Sequence, residues 1–572
     1  MFTSRLFAKP ALRCTARAGR SIRVSRLAST TTKSAGSSRG STSKAQVLKL
    51  TGLFFFGAAF GATFIAFRIA KDPPTFLFSS HSTTKTRELT PPKYGKAEPA
   101  IEELKKLLRP DQVSVSKNSL DSHSDTYFQT EHPAPGERPI AVVYPETTEQ
   151  VSAIMKVCHK HRVPMVPFTG GTSLEGHFTP TRHGISMDLS RMNKILALHK
   201  DDLDVVVQPA VGWEDLGEYL ADYNLLFGPD PGPGACIGGM VGTSCSGTNA
   251  ARYGTMKENV VSLTVVLADG TVIKTKKRPR KSSAGYNLNG LFIGSEGTLG
   301  IVTEATLKLN VKPKFQDVAV ISFPTIGDAS TSVSQFVQSG LQLDAMELLD
   351  GNMLKFVNES GEVSMKYNES PTLMLKIGGN SKPGLDDTIK AVRKICSHNH
   401  NTDFKFAESD EEKFELWNAR KTALWSTISY GQEHIDKDVQ LWTTDVAVPI
   451  SRLAKSLEDT KKDLAESKLT ASIVGHVGDG NYHCFILFKK QDRAKAAAAV
   501  ERMVTRAIQA DGTVTGEHGV GIGKRDYLLQ EAGPDTVAVM RRIKMALDPY
   551  RILNPDKVFP IDPTEGGLAK RK

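Results

Sequence analysis

Cysteine is scarce in this chain. Its 572 residues include six, Cys14, Cys158, Cys236, Cys245, Cys396 and Cys484, and no two form a C-x-x-C pair. That excludes a disulfide framework or a zinc knuckle, and the thiols read as isolated buried side chains. No C-x-x-C-H occurs, so the chain attaches no c-type haem of its own. H-E-x-x-H is also missing, which removes support for a thermolysin-like hydrolase. Acidic residues are absent from the first 71 positions, which hold thirteen Lys or Arg; the first acid is Asp72. This asymmetry explains the formal net charge of +11. Taking those thirteen from the 73 basic residues leaves 60 against 62 acids, a net of −2. So balanced a body has no general pull on phosphates, and nucleic acid is not an expected partner.

What is present begins with the leader. Arg5, Arg13, Arg17, Arg20, Arg23 and Arg26 alternate with Ser, Ala, Thr and Leu, the composition of a mitochondrial transit peptide, expected over 1–45. Residues 50–67, LTGLFFFGAAFGATFIAF, carry no charge and lie between Lys49 and Arg68. Eighteen helical residues cover about 27 Å, near the thickness of a bilayer core. A transmembrane helix is expected over 50–70, ended by Pro73 and Pro74. Together these predict an inner mitochondrial membrane anchor with the body in the intermembrane space. Residues 71–138 read as linker and N-terminal segment.

The rest, 40% hydrophobic and 24% charged over the whole chain, suits an enzyme of two or more domains. Residues 140–144 predict a strand, Pro145 a helix start, and 163–168 a second strand. TGGTSLEG (169–176) follows as a glycine-rich turn, where backbone N–H groups can cradle an anion. It is not a Walker A loop, because His177 stands where Lys is required. Two more glycine-rich stretches follow, GPDPGPGACIGGMVGTSCSGTNAARYG (228–254) and FIGSEGTLGIVTEATLKL (292–309). So much glycine between strands is costly in entropy unless a ligand needs the backbone.

In this order the three stretches resemble the FAD-binding domain of the vanillyl-alcohol oxidase/PCMH flavoproteins. The resemblance implies an α+β fold: a two-part PCMH-type FAD-binding domain (139–312) and an α+β substrate- and metal-binding domain (313–562). By position, Thr169, Gly170, Gly171, Thr172 and Ser173 would hold the pyrophosphate. Pro229, Gly234, Gly238, Gly239, Thr243, Ser246, Asn249 and Tyr253 would line the flavin. Glu296, Gly297, Gly300, Ile301 and Val302 would meet the ribityl–ADP arm. No histidine precedes Leu174 in the first loop, so FAD is expected to be non-covalent.

The second domain concentrates its chemistry in IVGHVGDGNYH (473–483) and TGEHGVGIGK (515–524). His476, His483 and Glu517 could supply three ligands to zinc or another divalent ion, with a position left for substrate. Two ordinary buried histidines are the alternative. These segments resemble the C-terminal domain of FAD-linked D-2-hydroxy-acid dehydrogenases. That resemblance implies metal ligation by His476, His483 and Glu517, with His518 as base at near-neutral pKa. It implies that Arg420, in W-N-A-R (417–420), grips the substrate carboxylate, and that Asn554, in ILNPDKVF (552–559), lies near the flavin. Relatives acting on D-2-hydroxyglutarate carry a lysine before an Asp-x-x-x-Pro segment. TTDVAVP (443–449) has Thr443 there, which favours a monocarboxylate, with Lys437 close enough in sequence to compensate. The expected reaction is oxidation of D-lactate to pyruvate, with electrons passing to cytochrome c; a quinone or an electron-transfer flavoprotein are the other acceptors. D-2-hydroxyglutarate or glycolate is the alternative substrate within the family. A metal-dependent hydrolase and a tethered, non-catalytic flavin-binding module are the alternatives of other classes.

Overall fold

The computed structural model describes residues 91–561. The expected transit peptide and membrane helix lie outside them. Among the described residues no helix is long and apolar enough to cross a membrane.

The chain first builds a small sheet from β1 (Val113–Ser114), β2 (Ala141–Val143), β3 (Met165–Phe168) and β4 (Ile185–Asp188), in the order β1-β2-β4-β3. β4 runs parallel to both β2 and β3. The helix Thr148–His161 makes the crossover from β2 to β3. Its start is set by the Thr147 hydroxyl, which accepts from Gln150 N, so it opens later than Pro145 suggested. Within the expected linker and N-terminal segment, the helix Ala97–Leu107 buries Ala97, Ala100, Ile101 and Leu104, and β1 pairs with β2. That i, i+3, i+4, i+7 spacing is the signature of an amphipathic helix.

A second sheet contains β5 (Ile195–His199), β6 (Asp204–Val207), β8 (Val260–Val266), β9 (Val272–Lys274) and β10 (Ile301–Lys308), ordered β5-β6-β10-β8-β9 and antiparallel throughout. β7 (Leu225–Leu226) and β11 (Asn310–Val311) form a separate ribbon. The first glycine-rich stretch follows β3, the second separates β7 from β8, and the third runs into β10.

The later half is one antiparallel sheet of β12 (Phe315–Ser322), β13 (Ala345–Leu349), β14 (Thr372–Gly379), β15 (Asp403–Phe406), β16 (Gln440–Thr443), β17 (Val446–Ala447), β18 (Thr470–His476) and β19 (Asn481–Phe488). The order is β15-β12-β14-β13-β18-β19-β16, with β17 on β19. Helices cover both faces, so central strands are buried at every position. Met346 and Leu348 of β13 enter one core, Ala345 and Leu349 the other. This period of two places Glu347 on the face of Ala345 and Leu349. The chain's last described stretch also touches the first domain. Ile552 and Leu553 return to the first domain's core, where Leu553 bridges Met165 of β3.

Candidate active site

Strand pairing assembles one face of the site. Glu347 of β13 is opposite His476 of β18, and Val474 is opposite His483 of β19. His476 and Val474 are two residues apart, so both histidines and Glu347 share one face of the sheet. The imidazole centroids of His476 and His483 are 5.5 Å apart. The helix Asp410–Lys421 packs Leu416, Trp417 and Ala419 on the same face, which brings Arg420 to Glu347. Glu347 is fully buried; it meets Arg420 Nε at 2.7 Å and His476 Nδ1 at 2.8 and 3.0 Å.

The loop of residues 515–524 supplies the remainder. Glu517 Oε1 lies 3.0 Å from His476 Nε2 and 3.2 Å from His483 Nε2. Burial alone would push the His476 imidazole down, but Glu347 and Glu517 together hold it well above its ordinary value. Burial likewise opposes ionisation of Glu517, yet the two imidazoles hold its carboxyl well below the usual range. Asp445 Oδ2 accepts from Glu517 N at 3.0 Å and His518 N at 2.9 Å, fixing both backbones. The Asp445 carboxyl sits far below its usual value: His518, Lys524 and His483 outweigh the cost of burial. The His518 ring stacks on His483 at 4.9 Å, with Nδ1 3.9 Å from Asp445. Burial pushes His518 down to about 4, below the near-neutral value expected from sequence.

A cavity of about 690 Å³ joins this cluster to the glycine-rich segments. Its wall includes Thr169 through Ser173, Gly238, Gly239, Thr243, Glu296, Gly297, Gly300, Ile301, Val302 and Asn554 on one side. Arg420, His476, His483, Glu517 and His518 line the other. Gly297 has φ +70°, and a Cβ there would stand 2.4 Å from Pro167, so glycine lets the third segment close on β3 just ahead of the first segment.

Several expected contacts are displaced. Pro229, Gly234, Ser246, Asn249 and Tyr253 are not on the cavity wall. Gly234 N donates to Glu214, and the Asn249 amide bonds Gly228 O, so both shape the second segment. Ser246 Oγ donates to Glu517 Oε2 at 2.8 Å. Glu296 is on the wall, but its carboxylate accepts from Val520 N and Gly521 N at 2.6 and 2.8 Å. Asn554 gives its amide to the carbonyls of His177 and Glu296. Lys437 is exposed and off the wall, whereas Thr443 is on it. Sequence reasoning missed Glu347, Asp445, Glu175 and Lys524. A lone carboxylate inside the apolar run AMELL was the available signal for Glu347.

The family described as FAD binding domain matches residues 139–276, and that described as FAD linked oxidases, C-terminal domain, matches 312–558. A curated Kluyveromyces lactis protein, "D-lactate dehydrogenase [cytochrome], mitochondrial", is 54% identical over 91% of each chain. The chain belongs to the FAD-linked oxidases. A Saccharomyces cerevisiae member, "D-lactate dehydrogenase [cytochrome] 1, mitochondrial", is 54% identical over 85% of this chain and 84% of its own. Among solved structures, 4-ethylphenol oxidase from Gulosibacter chungangensis shares the fold, with TM-score 0.67 and 20% identity over 83% of this chain and 99% of that one. The PCMH-type architecture and the FAD-binding domain of this FAD-linked oxidase are thereby established.

Proposed function

We propose that this FAD-linked oxidase converts D-lactate to pyruvate and delivers the electrons to cytochrome c. The observation that carries the reading is the shared cavity: FAD segments line one side, and a cation, a neutral imidazole and a three-ligand cluster line the other. The names of the two yeast relatives support substrate, acceptor and mitochondrial location. The acid-free Arg-rich leader and the apolar run at 50–67 support an inner-membrane anchor with the body in the intermembrane space.

Arg420, held at Nε by Glu347, keeps its terminal nitrogens for a bidentate contact with the substrate carboxylate. His518 takes the hydroxyl proton, and Asp445 beside Nδ1 stabilises the cation that results. Non-covalent FAD, when bound, supplies the acceptor for the hydride leaving C2.

The donor set fits a divalent ion such as zinc. His483 Nδ1 lies 2.9 Å from Thr444 O, and its Nε2 lies 3.2 Å from Glu517 Oε1. Nε2 of both histidines converges on Glu517 Oε1, and each ring is oriented through Nδ1, His476 by Glu347 and His483 by Thr444 O, as metal ligands are. A second set, Asp445, His483 and His518, fits less well, because Asp445 Oδ2 already accepts two backbone N–H groups. His476, His483 and Glu517 would hold the ion, which would place positive charge beside the substrate hydroxyl.

The test is anaerobic addition of D-lactate to the purified yellow protein. Bleaching with D-lactate and not L-lactate, followed by reoxidation with cytochrome c, is the expected result. Flavin bands that persist under D-lactate would reject the substrate.

A further inference from the structure

The loop carrying Glu517 and His518 reads T-G-E-H-G-V-G-I-G-K, four glycines in ten residues (515–524). Such a backbone has little stiffness of its own and is costly to order. Its first half is held from the substrate domain by Asp445. Further contacts come from the FAD domain, and each glycine-rich FAD segment contributes one.

From the first segment, Glu175 O accepts from Ile522 N at 2.7 Å and Gly523 N at 3.3 Å, and Glu175 Oε1 lies 3.3 Å from Lys524 Nζ. From the second, Ser246 Oγ donates to Glu517 Oε2 at 2.8 Å, leaving Oε1 for His476 and His483. From the third, the Glu296 carboxylate accepts from Val520 N and Gly521 N. The fit is close: a Cβ on Gly521 would stand 2.1 Å from Glu175 O. All three segments contribute to the wall of the FAD cavity. Whatever steadies that wall therefore steadies Glu517.

We propose that Ser246, Glu296 and Glu175 act as positioning residues that make FAD binding and divalent-metal binding mutually reinforcing. FAD orders the three segments, the segments order the loop, and the metal then meets a ligand set whose ordering cost is already met. Linkage requires the converse: the metal, by fixing Glu517, tightens FAD by the same factor. The inference rests on the metal assignment of the proposed function.

The experiment uses the full chain with FAD bound, stripped of metal by a chelator and then titrated with Zn2+. FAD affinity is read from the flavin fluorescence that appears on release, with and without Zn2+. The native protein should hold FAD about tenfold more tightly with Zn2+, the mid-range of measured couplings. Ser246→Ala and Glu296→Gln should reduce that factor to about twofold or less. A merely structural role would weaken FAD equally in both conditions, so the ratio separates the two. Ser246→Ala, the milder change, carries the test if Glu296→Gln does not fold. Zn2+ that binds with the stoichiometry of one site yet leaves FAD release unchanged overturns the coupling and leaves the metal assignment standing. Retention of the full factor by both variants overturns the coupling as well. Failure of the FAD-bound protein to bind Zn2+ rejects the metal assignment itself, and the coupling with it.

Discussion

Glu347 Oε2 stands 2.7 Å from Arg420 Nε, and the same carboxylate reaches His476 Nδ1 at 2.8 Å through Oε1. One fully buried anion thus orients both the cation proposed for the substrate carboxylate and an imidazole of the proposed metal set. Glu347→Gln keeps the shape and removes the charge. Loss of such an outer partner costs about 10- to 100-fold in metal affinity or activity. We expect a raised KM for D-lactate together with weakened Zn2+ binding. A variant that changes neither would reduce Glu347 to a packing residue.

His518→Ala should lower kcat by about 10²- to 10⁴-fold, the range for loss of a positioned base. The flavin spectrum of the variant should be retained, because the backbone N–H of residue 518 still reaches Asp445. Near-normal turnover by this variant would rule His518 out as the base.

Thr443 is buried on the cavity wall, and its neighbour in sequence, Thr444, is taken up by His483 and Cys484. Thr443→Lys adds a cation where a second carboxylate could meet it. A hydrogen bond to a charged group contributes about 1.5–3 kcal/mol, so kcat/KM for D-2-hydroxyglutarate relative to D-lactate should rise at least about tenfold. An unchanged ratio in a substrate panel would separate Thr443 from substrate choice.

Lys557 is buried, and its ammonium donates to the carbonyls of Thr179 and Pro555. Burial pushes this amine down to about 7. In the unfolded chain it keeps its proton to about 10.4. Between these values the unfolded state binds more protons, so stability rises with pH. Below pH 7 both states are charged, and burial is at its most costly. Compared with Lys557→Met, the native protein should therefore gain in unfolding midpoint as pH rises from 7 towards 10. A parallel pH dependence in the two proteins would contradict the shifted amine.

Local pattern revealed much of this molecule. The three glycine-rich segments, the His476–His483 hairpin and the T-G-E-H loop could each be read from short windows, because turns and alternation are properties of neighbouring residues. Several roles read from those windows changed on folding. Ser246 and Glu296 sit in the expected segments, yet their side chains are engaged by the 517–521 loop. The helix Ala97–Leu107 lay unassigned within the region read as linker and N-terminal segment, although its apolar spacing was present.

The sequence by itself determined the charge asymmetry of the first 71 residues, the FAD segments and their order, and the residues available for catalysis. Tertiary structure alone decided which of them meet. Glu347 lies 73 residues from Arg420 and 129 from His476, and Ser246 lies 271 from Glu517. Pairs so distant have no local signature. They arise because β13 pairs with β18, because one helix packs on that face, and because two domains close around a single loop.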